Sequence, residues 1–221
     1  NQLKKTEGLK MDHVLWCNKH PLVLPDIVKG KGCYLYDSEG RKYLDMESGI
    51  WYLPLGHCHH QVNAAISAQA NDLAHSGYTY GNSVIEQASR AVLDMVNMSQ
   101  GKCVFLSSGS EAVEFGVQVL RKISGRPLVL TLSDSFLGSY GSAGKKQADE
   151  WVLFDSQQCD TCSSSKACDP ECDHLSDIPF SRIGGFVFEP GSSSGLVRFP
   201  PKAFIQNLVK RIRRHDGFIQ I

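Results

Sequence analysis

From residue 102 to the last residue the chain alternates short apolar runs with stretches of helical periodicity, and this alternation most limits its fold. Residues 102–107 read as a buried strand, and 110–123 as a helix with Val113, Val117 and Leu120 on one face. Residues 127–132, 151–154 and 183–188 read as three further strands, 201–214 as a helix, and 217–221 as the start of a fifth strand. Strands alternating with helices make βαβ units, and βαβ units make a mostly parallel sheet with both faces covered. The expected fold is α/β and doubly wound.

Upstream the rhythm differs. Tyr34-Leu35-Tyr36 and Lys42-Tyr43-Leu44 flank Asp37-Ser38-Glu39-Gly40, a hairpin pattern with glycine at a left-handed turn position. Val62, Ala65, Ile66, Ala70 and Leu73 have helical spacing over 61–75, and Ser83 with Glu86 makes a capping-box pattern for a second helix. The expected division is an arm and hairpin over 1–45, belonging to a smaller domain, and an incomplete major domain over 46–221. Residues 157–176, rich in Ser, Cys and Asp, read as an insertion between two strands.

Lys+Arg and Asp+Glu both number 23, so no global field points to nucleic acid or an anionic membrane. No apolar stretch is long enough to span a bilayer, and a cytoplasmic protein is expected. Of eight cysteines, Cys17, Cys33, Cys58 and Cys103 are scattered and read as small buried apolar groups. Cys159, Cys162, Cys168 and Cys172 are clustered, with His174 close behind. In a reducing compartment that clustering points to a structural metal, zinc by donor type; the other reading is a set of free thiols in a surface loop.

Ligands of open parallel sheets bind at the carboxyl ends of the strands. Three loops leave that edge: 107–110, 133–141 and Glu189-Pro190-Gly191. Ser108-Gly109-Ser110 opens a helix, whose free first-turn N–H groups and positive dipole end suit a phosphate; the same residues also fit an ordinary helix cap. Gly138, Gly141 and Gly144 are spaced GxxGxxG, which is not the dinucleotide pattern, and Gly144-Lys145-Lys146 lacks both the first glycine and the final hydroxyl residue of a P-loop. Phe136 offers a face to a conjugated ring, or simply closes the core. Glu189 ends a buried strand, where a carboxylate needs a partner unless it reaches the surface.

The order of these pieces resembles the class III aminotransferases, which are fold-type I pyridoxal-phosphate enzymes. The matching stretches are Tyr34 to Asp45 with Gly49, Leu55-Gly56-His57-Cys58-His59, the run FLSSGSEAVE from Phe105 to Glu114, Ser135 to Gly138, and the run GGFVFEPGSSSGLVRFPP ending at Pro201. The resemblance implies that Ser108, Gly109 and Ser110 bind the phosphate of pyridoxal 5'-phosphate and that Phe136 stacks on its ring. The residue after that aromatic is usually histidine and is Leu137 here. It further implies a catalytic contribution from Glu189 and a substrate entrance lined by Gly49, Trp51 and Tyr52, which otherwise read as a packed aromatic pair. His57 and His59 belong to a family turn.

The resemblance places an acidic partner of the ring nitrogen and the Schiff-base lysine beyond Ile221. None of Lys145, Lys146, Lys202 or Lys210 occupies that lysine's motif. Residues 218–221 read as a strand in mid-course, so the sequence is expected to be the N-terminal part of a longer enzyme and inactive by itself. That enzyme would be a homodimer moving an amino group between a small-molecule amine or amino acid and a keto acid. The alternatives are a related racemase or aminomutase, or a non-catalytic binding or scaffold protein on the same fold.

Overall fold

The computed structural model describes residues 12–15, 22, 24, 26–159, 168, 172–193 and 197–221. They form two compact units, Asn1–Ala91 and Val92–Ile221.

In the first unit, β1 (Ile27–Lys31), β2 (Tyr34–Asp37) and β3 (Lys42–Leu44) form an antiparallel sheet in that order. The β2–β3 turn closes on Asp37, whose carboxylate accepts from the Glu39 and Arg41 N–H groups, from Arg41 Nε at 2.6 Å and from the Tyr43 hydroxyl at 2.8 Å. Burial alone would raise this carboxyl, but the Arg41 and Tyr43 bonds outweigh it and bring its pKa down to about 2. Next comes α1 (Ser48–Trp51), a single turn whose four residues have φ between 54° and 67°, the left-handed region. Asp45 braces it by accepting the Glu47 and Ser48 N–H groups, and its other oxygen lies 2.6 Å from His57 Nε2. The His57 bond holds the Asp45 carboxyl below its ordinary range.

Two helices follow, α2 (His60–Asp72) and α3 (Ser83–Met95), and neither has a buried residue. The cap at the start of α3 is not the expected Ser83–Glu86 pair. Asn82 Oδ1 accepts the Val84 N–H at 2.8 Å, one residue earlier, and Glu86 pairs instead with Arg90 along the helix.

The second unit is a parallel sheet in the order β5-β4-β6-β7, built from β4 (Leu128–Leu132), β5 (Trp151–Phe154), β6 (Ile183–Val187) and β7 (Phe218–Gln220). Every residue of β4 and β6 is buried, as expected of strands covered on both faces. Leu128, Leu130 and Leu132 face a cluster with Phe186, Phe204, Leu208 and Ile212, the last three from α6 (Lys202–Arg214). Val129 points the other way, to Val117 and Leu120 of α4 (Gly109–Ser124), with Leu137, Ala143, Trp151 and Val187. Each such apolar side chain contributes about 1.5–3 kcal/mol relative to exposure. The α/β fold with a parallel sheet and a separate antiparallel hairpin is as the sequence implied.

One expected strand is missing. Residues 102–107 join no ladder, and Val104, Phe105 and Leu106 stay exposed. An apolar run becomes a strand only against a neighbour's free edge, and none of the four strands pairs with it. Among the described residues, no helix is long and apolar enough to cross a membrane.

Candidate functional site

The start of α4 is capped by Ser108, whose Oγ accepts the Glu111 N–H at 3.2 Å, while the Ser108 carbonyl accepts from Ala112. The N–H groups of Gly109 and Ser110 precede the first intrahelical bond, so they point out of the helix end with its partial positive charge. A Cβ on Gly109 would meet nothing within 4 Å, so the space beside it is open.

The loop after β4 lies against this helix start. Gly138 has φ +126°, and a Cβ there would stand 3.0 Å from Ser110 Oγ, so glycine allows the close approach. The Ser139 N–H donates to Ser110 Oγ at 3.0 Å, which leaves the hydroxyl proton of Ser110 available to a ligand. α5 (Gly141–Lys145) follows, its entry held by Glu114 of α4, which accepts from the Ala143 N–H and the Ser142 hydroxyl.

Phe136 sits at the centre of the loop, with its side chain half exposed. Its backbone is held from both ends. The Phe136 N–H donates to Glu189 Oε2 at 2.9 Å, and its carbonyl accepts from Lys146 Nζ at 3.1 Å. Glu189 also accepts from the Ser193 hydroxyl at 2.6 Å and the Ser193 N–H at 3.5 Å. Burial depresses the Lys146 pKa below the ordinary lysine range, and the nearby Glu189 carboxylate opposes part of that shift.

A second group of bonds ties together the segments that follow β4, β5 and β6. Arg198 pairs with Asp134 at 3.2 Å and donates to Ser156 Oγ, while the Ser192 hydroxyl donates to the Asp134 carbonyl at 2.7 Å. The chain leaving β4, the residue two beyond β5 and the stretch after β6 are thereby fixed at one sheet edge. Among the residues expected at the site, Phe136 is bonded to Glu189, and Ser110 to Ser139 of the same loop, while Ser108 and Gly109 stand beside Ser110 at the start of α4. The sequence reading had missed Lys146, Ser193 and Arg198. Lys146 carried a signal only as the tail of a failed P-loop pattern, and the other two lay inside the matching run that ends at Pro201 without being singled out.

Trp51 and Tyr52 belong to the first unit, and both are exposed. Of the clustered cysteines, Cys162 lies outside the described residues. Cys159 and Cys168 pack against the apolar cluster under α6, and Cys168 Sγ accepts from Asn207 Nδ2 at 3.2 Å. Among the described residues, no group of three or more His, Cys, Asp or Glu side chains is placed to hold a metal.

The profile of the family described as "Aminotransferase class-III" matches residues 17–220. An acetylornithine aminotransferase of Bacillus anthracis is 34% identical over 129 residues, 57% of this chain and 33% of that protein. Another, of Methanopyrus kandleri, is 25% identical over 218 residues, 92% of this chain and 51% of that protein. Among solved structures, a taurine:2-oxoglutarate aminotransferase from Bifidobacterium kashiwanohense, in complex with PLP and glutamate, superposes with a TM-score of 0.75 at 17% identity. It covers 91% of this chain and 51% of its own. A PLP-bound amine transaminase from an uncultivated Pseudomonas species gives a TM-score of 0.71 at 22% identity over 88% of this chain and 50% of its own. At such identities these two show the fold alone. The chain spans about a third to a half of the length of these relatives.

Proposed function

Because this chain belongs to the class-III aminotransferase family, we propose that it supplies the phosphate and ring subsites of a pyridoxal-phosphate-dependent enzyme that transfers an amino group between an amine or amino acid and a keto acid. One observation carries the reading: the first turn of α4, the open face of Phe136 and the Glu189 carboxylate converge at one sheet edge.

The residues present fit the cofactor. Its phosphate suits the Gly109 and Ser110 N–H groups and the free hydroxyl proton of Ser110. Its flat ring suits the exposed face of Phe136. When bound, pyridoxal phosphate supplies an electron sink for the bonds at the amine carbon. The chain's part is to bind and orient. The helix end fixes one end of the cofactor, Phe136 fixes the plane of the ring, and Glu189 holds Phe136 in place through its N–H. In this reading Glu189 acts through Phe136, since its oxygens already take three bonds from the chain. Trp51 and Tyr52 are proposed to line the path of the substrate.

Homodimeric assembly is part of the proposal, supported by the exposed apolar residues of α2 and α3. So is cytoplasmic residence, supported by Cys33 and Cys58, which form no disulfide among the described residues. A zinc ion on Cys159, Cys162, Cys168 and Cys172 rests on their spacing alone, and elemental analysis of protein purified without chelator tests it.

The cofactor reading is tested by titrating the protein with pyridoxal 5'-phosphate. Gly109→Asp places a carboxylate against the phosphate and should abolish binding, whereas Gly109→Ala, which meets open space, should keep it. Phe136→Ala should weaken binding roughly 3- to 10-fold, the value of one aromatic stack. Unchanged affinity in Gly109→Asp would overturn the assignment.

A further inference from the structure

We infer that Lys146 is a positioning residue of the ring subsite, one half of a two-ended clamp that holds the Phe136 peptide in a single orientation. The inference rests on the cofactor reading above for its consequence, but the clamp itself is a matter of geometry. A peptide unit has one donor and one acceptor, and in this loop both go to ionisable side chains. The Phe136 N–H meets the Glu189 carboxylate at 2.9 Å, and the Phe136 carbonyl meets the Lys146 ammonium at 3.1 Å. Bonds to charged groups are about twice as strong as neutral ones, and two of opposite sense on one residue leave its backbone little freedom to turn.

The clamp spans separate elements. Lys146 is the C-cap residue of α5, in a left-handed conformation at φ 47°, and Glu189 follows β6. Their attraction across Phe136 is long-range, acting with the two bonds rather than as a direct ion pair. Next in sequence, Leu137 is also held at positive φ, 56°, with its side chain buried. Phe136 is thus pinned through its backbone and through its neighbour while its ring stays half exposed. A ring presented in this way meets a flat ligand without first having to be ordered, and preordering is what raises affinity.

The Lys146 N–H closes α5 on the Ser142 carbonyl, while its ammonium reaches Phe136 and sits where burial penalises its charge. A lysine held there against that penalty, by a carbonyl and a facing carboxylate, is placed to orient the loop.

The test uses the whole chain and two readouts. The first is amide hydrogen exchange at Phe136, which reads the clamp without any cofactor. Lys146→Met should speed exchange at Phe136 at least 10-fold, Glu189→Gln should do the same, and Lys146→Arg should restore protection. The second is affinity for pyridoxal 5'-phosphate, which should fall about 3- to 10-fold in Lys146→Met and recover in Lys146→Arg. Melting temperature serves as a control, because a merely structural lysine would lower it without a selective change at residue 136. If Lys146→Met leaves exchange at Phe136 as in the parent, the clamp is refuted. If exchange changes as expected but the parent protein binds no cofactor, the clamp stands and the cofactor reading falls.

Discussion

Leu137 shows best how a residue can carry its own strain. An L-residue in the left-handed region costs about 1–2 kcal/mol, yet Leu137 is held there at φ 56°. Its side chain is 6% exposed and packs with Val117, Val129, Ala143, Trp151 and Val187, which offsets that cost. Leu137→Ala should therefore destabilise the second unit by about 2–4 kcal/mol in chemical denaturation, and should loosen the Phe136 loop as well. The substitution of leucine for the histidine expected there was legible in the sequence, but its burial was not, because position in a loop says nothing of which way the chain turns. Asp37 gives a pH prediction. Its folded pKa, about 2, lies below the ordinary aspartate value of 3.8, so its contribution to hairpin stability is complete above about 3.8 and lost as pH falls through 2. Carbonyl shifts of Asp37 followed by NMR should show that midpoint, and Asp37→Asn should flatten the acid limb of hairpin unfolding.

At the scale of elements, periodicity identified nearly everything that two-sided burial makes regular. Strand β5 was expected over 151–154 and is found as Trp151–Phe154, and α6, expected over 201–214, is Lys202–Arg214. The failures share a cause. Residues 102–107 have strand composition but no ladder, since pairing depends on a neighbour remote in sequence. The short α5 was not expected at all. It exists because Glu114, a full helix away, accepts the N–H of Ala143 and the hydroxyl of Ser142. Of the proposed site, Ser108, Gly109, Ser110, Phe136 and Glu189 were singled out by order and spacing, whereas Lys146 was not, because its proposed role depends on where a turn carries it. Element ends also set stability. Ser108 caps α4 through its side chain, so Ser108→Ala should cost about 1 kcal/mol in thermal denaturation. Gly125 ends the same helix at φ 65°, and Gly125→Ala should cost about 1 kcal/mol by forcing a Cβ into the left-handed region.

Across the whole molecule, burial is lopsided. Among the described residues, every buried hydrophobic side chain lies between Val117 and Ile212. Helices α2 and α3 bury none, and Val62, Ile66, Leu73, Val84 and Ile85 remain exposed. An apolar face of that kind is stable in water only when something covers it. The proposed two-fold assembly would do so, and sedimentation of the intact protein should give a mass of two chains, whereas a stable compact monomer would contradict it. The order of the sheet has one more consequence, in time rather than in energy. Central strand β4 pairs with β5 about twenty residues on, but its other neighbour, β6, arrives only after the long cysteine-bearing segment. Closing a longer loop costs little at equilibrium, about 0.6 kcal/mol per doubling, but distant pairings slow the search for the native ladder. The β4–β5 pair should therefore form first and wait with its β6-facing edge bare, so crowding and temperature during synthesis should govern yield more than the stability of the finished fold does.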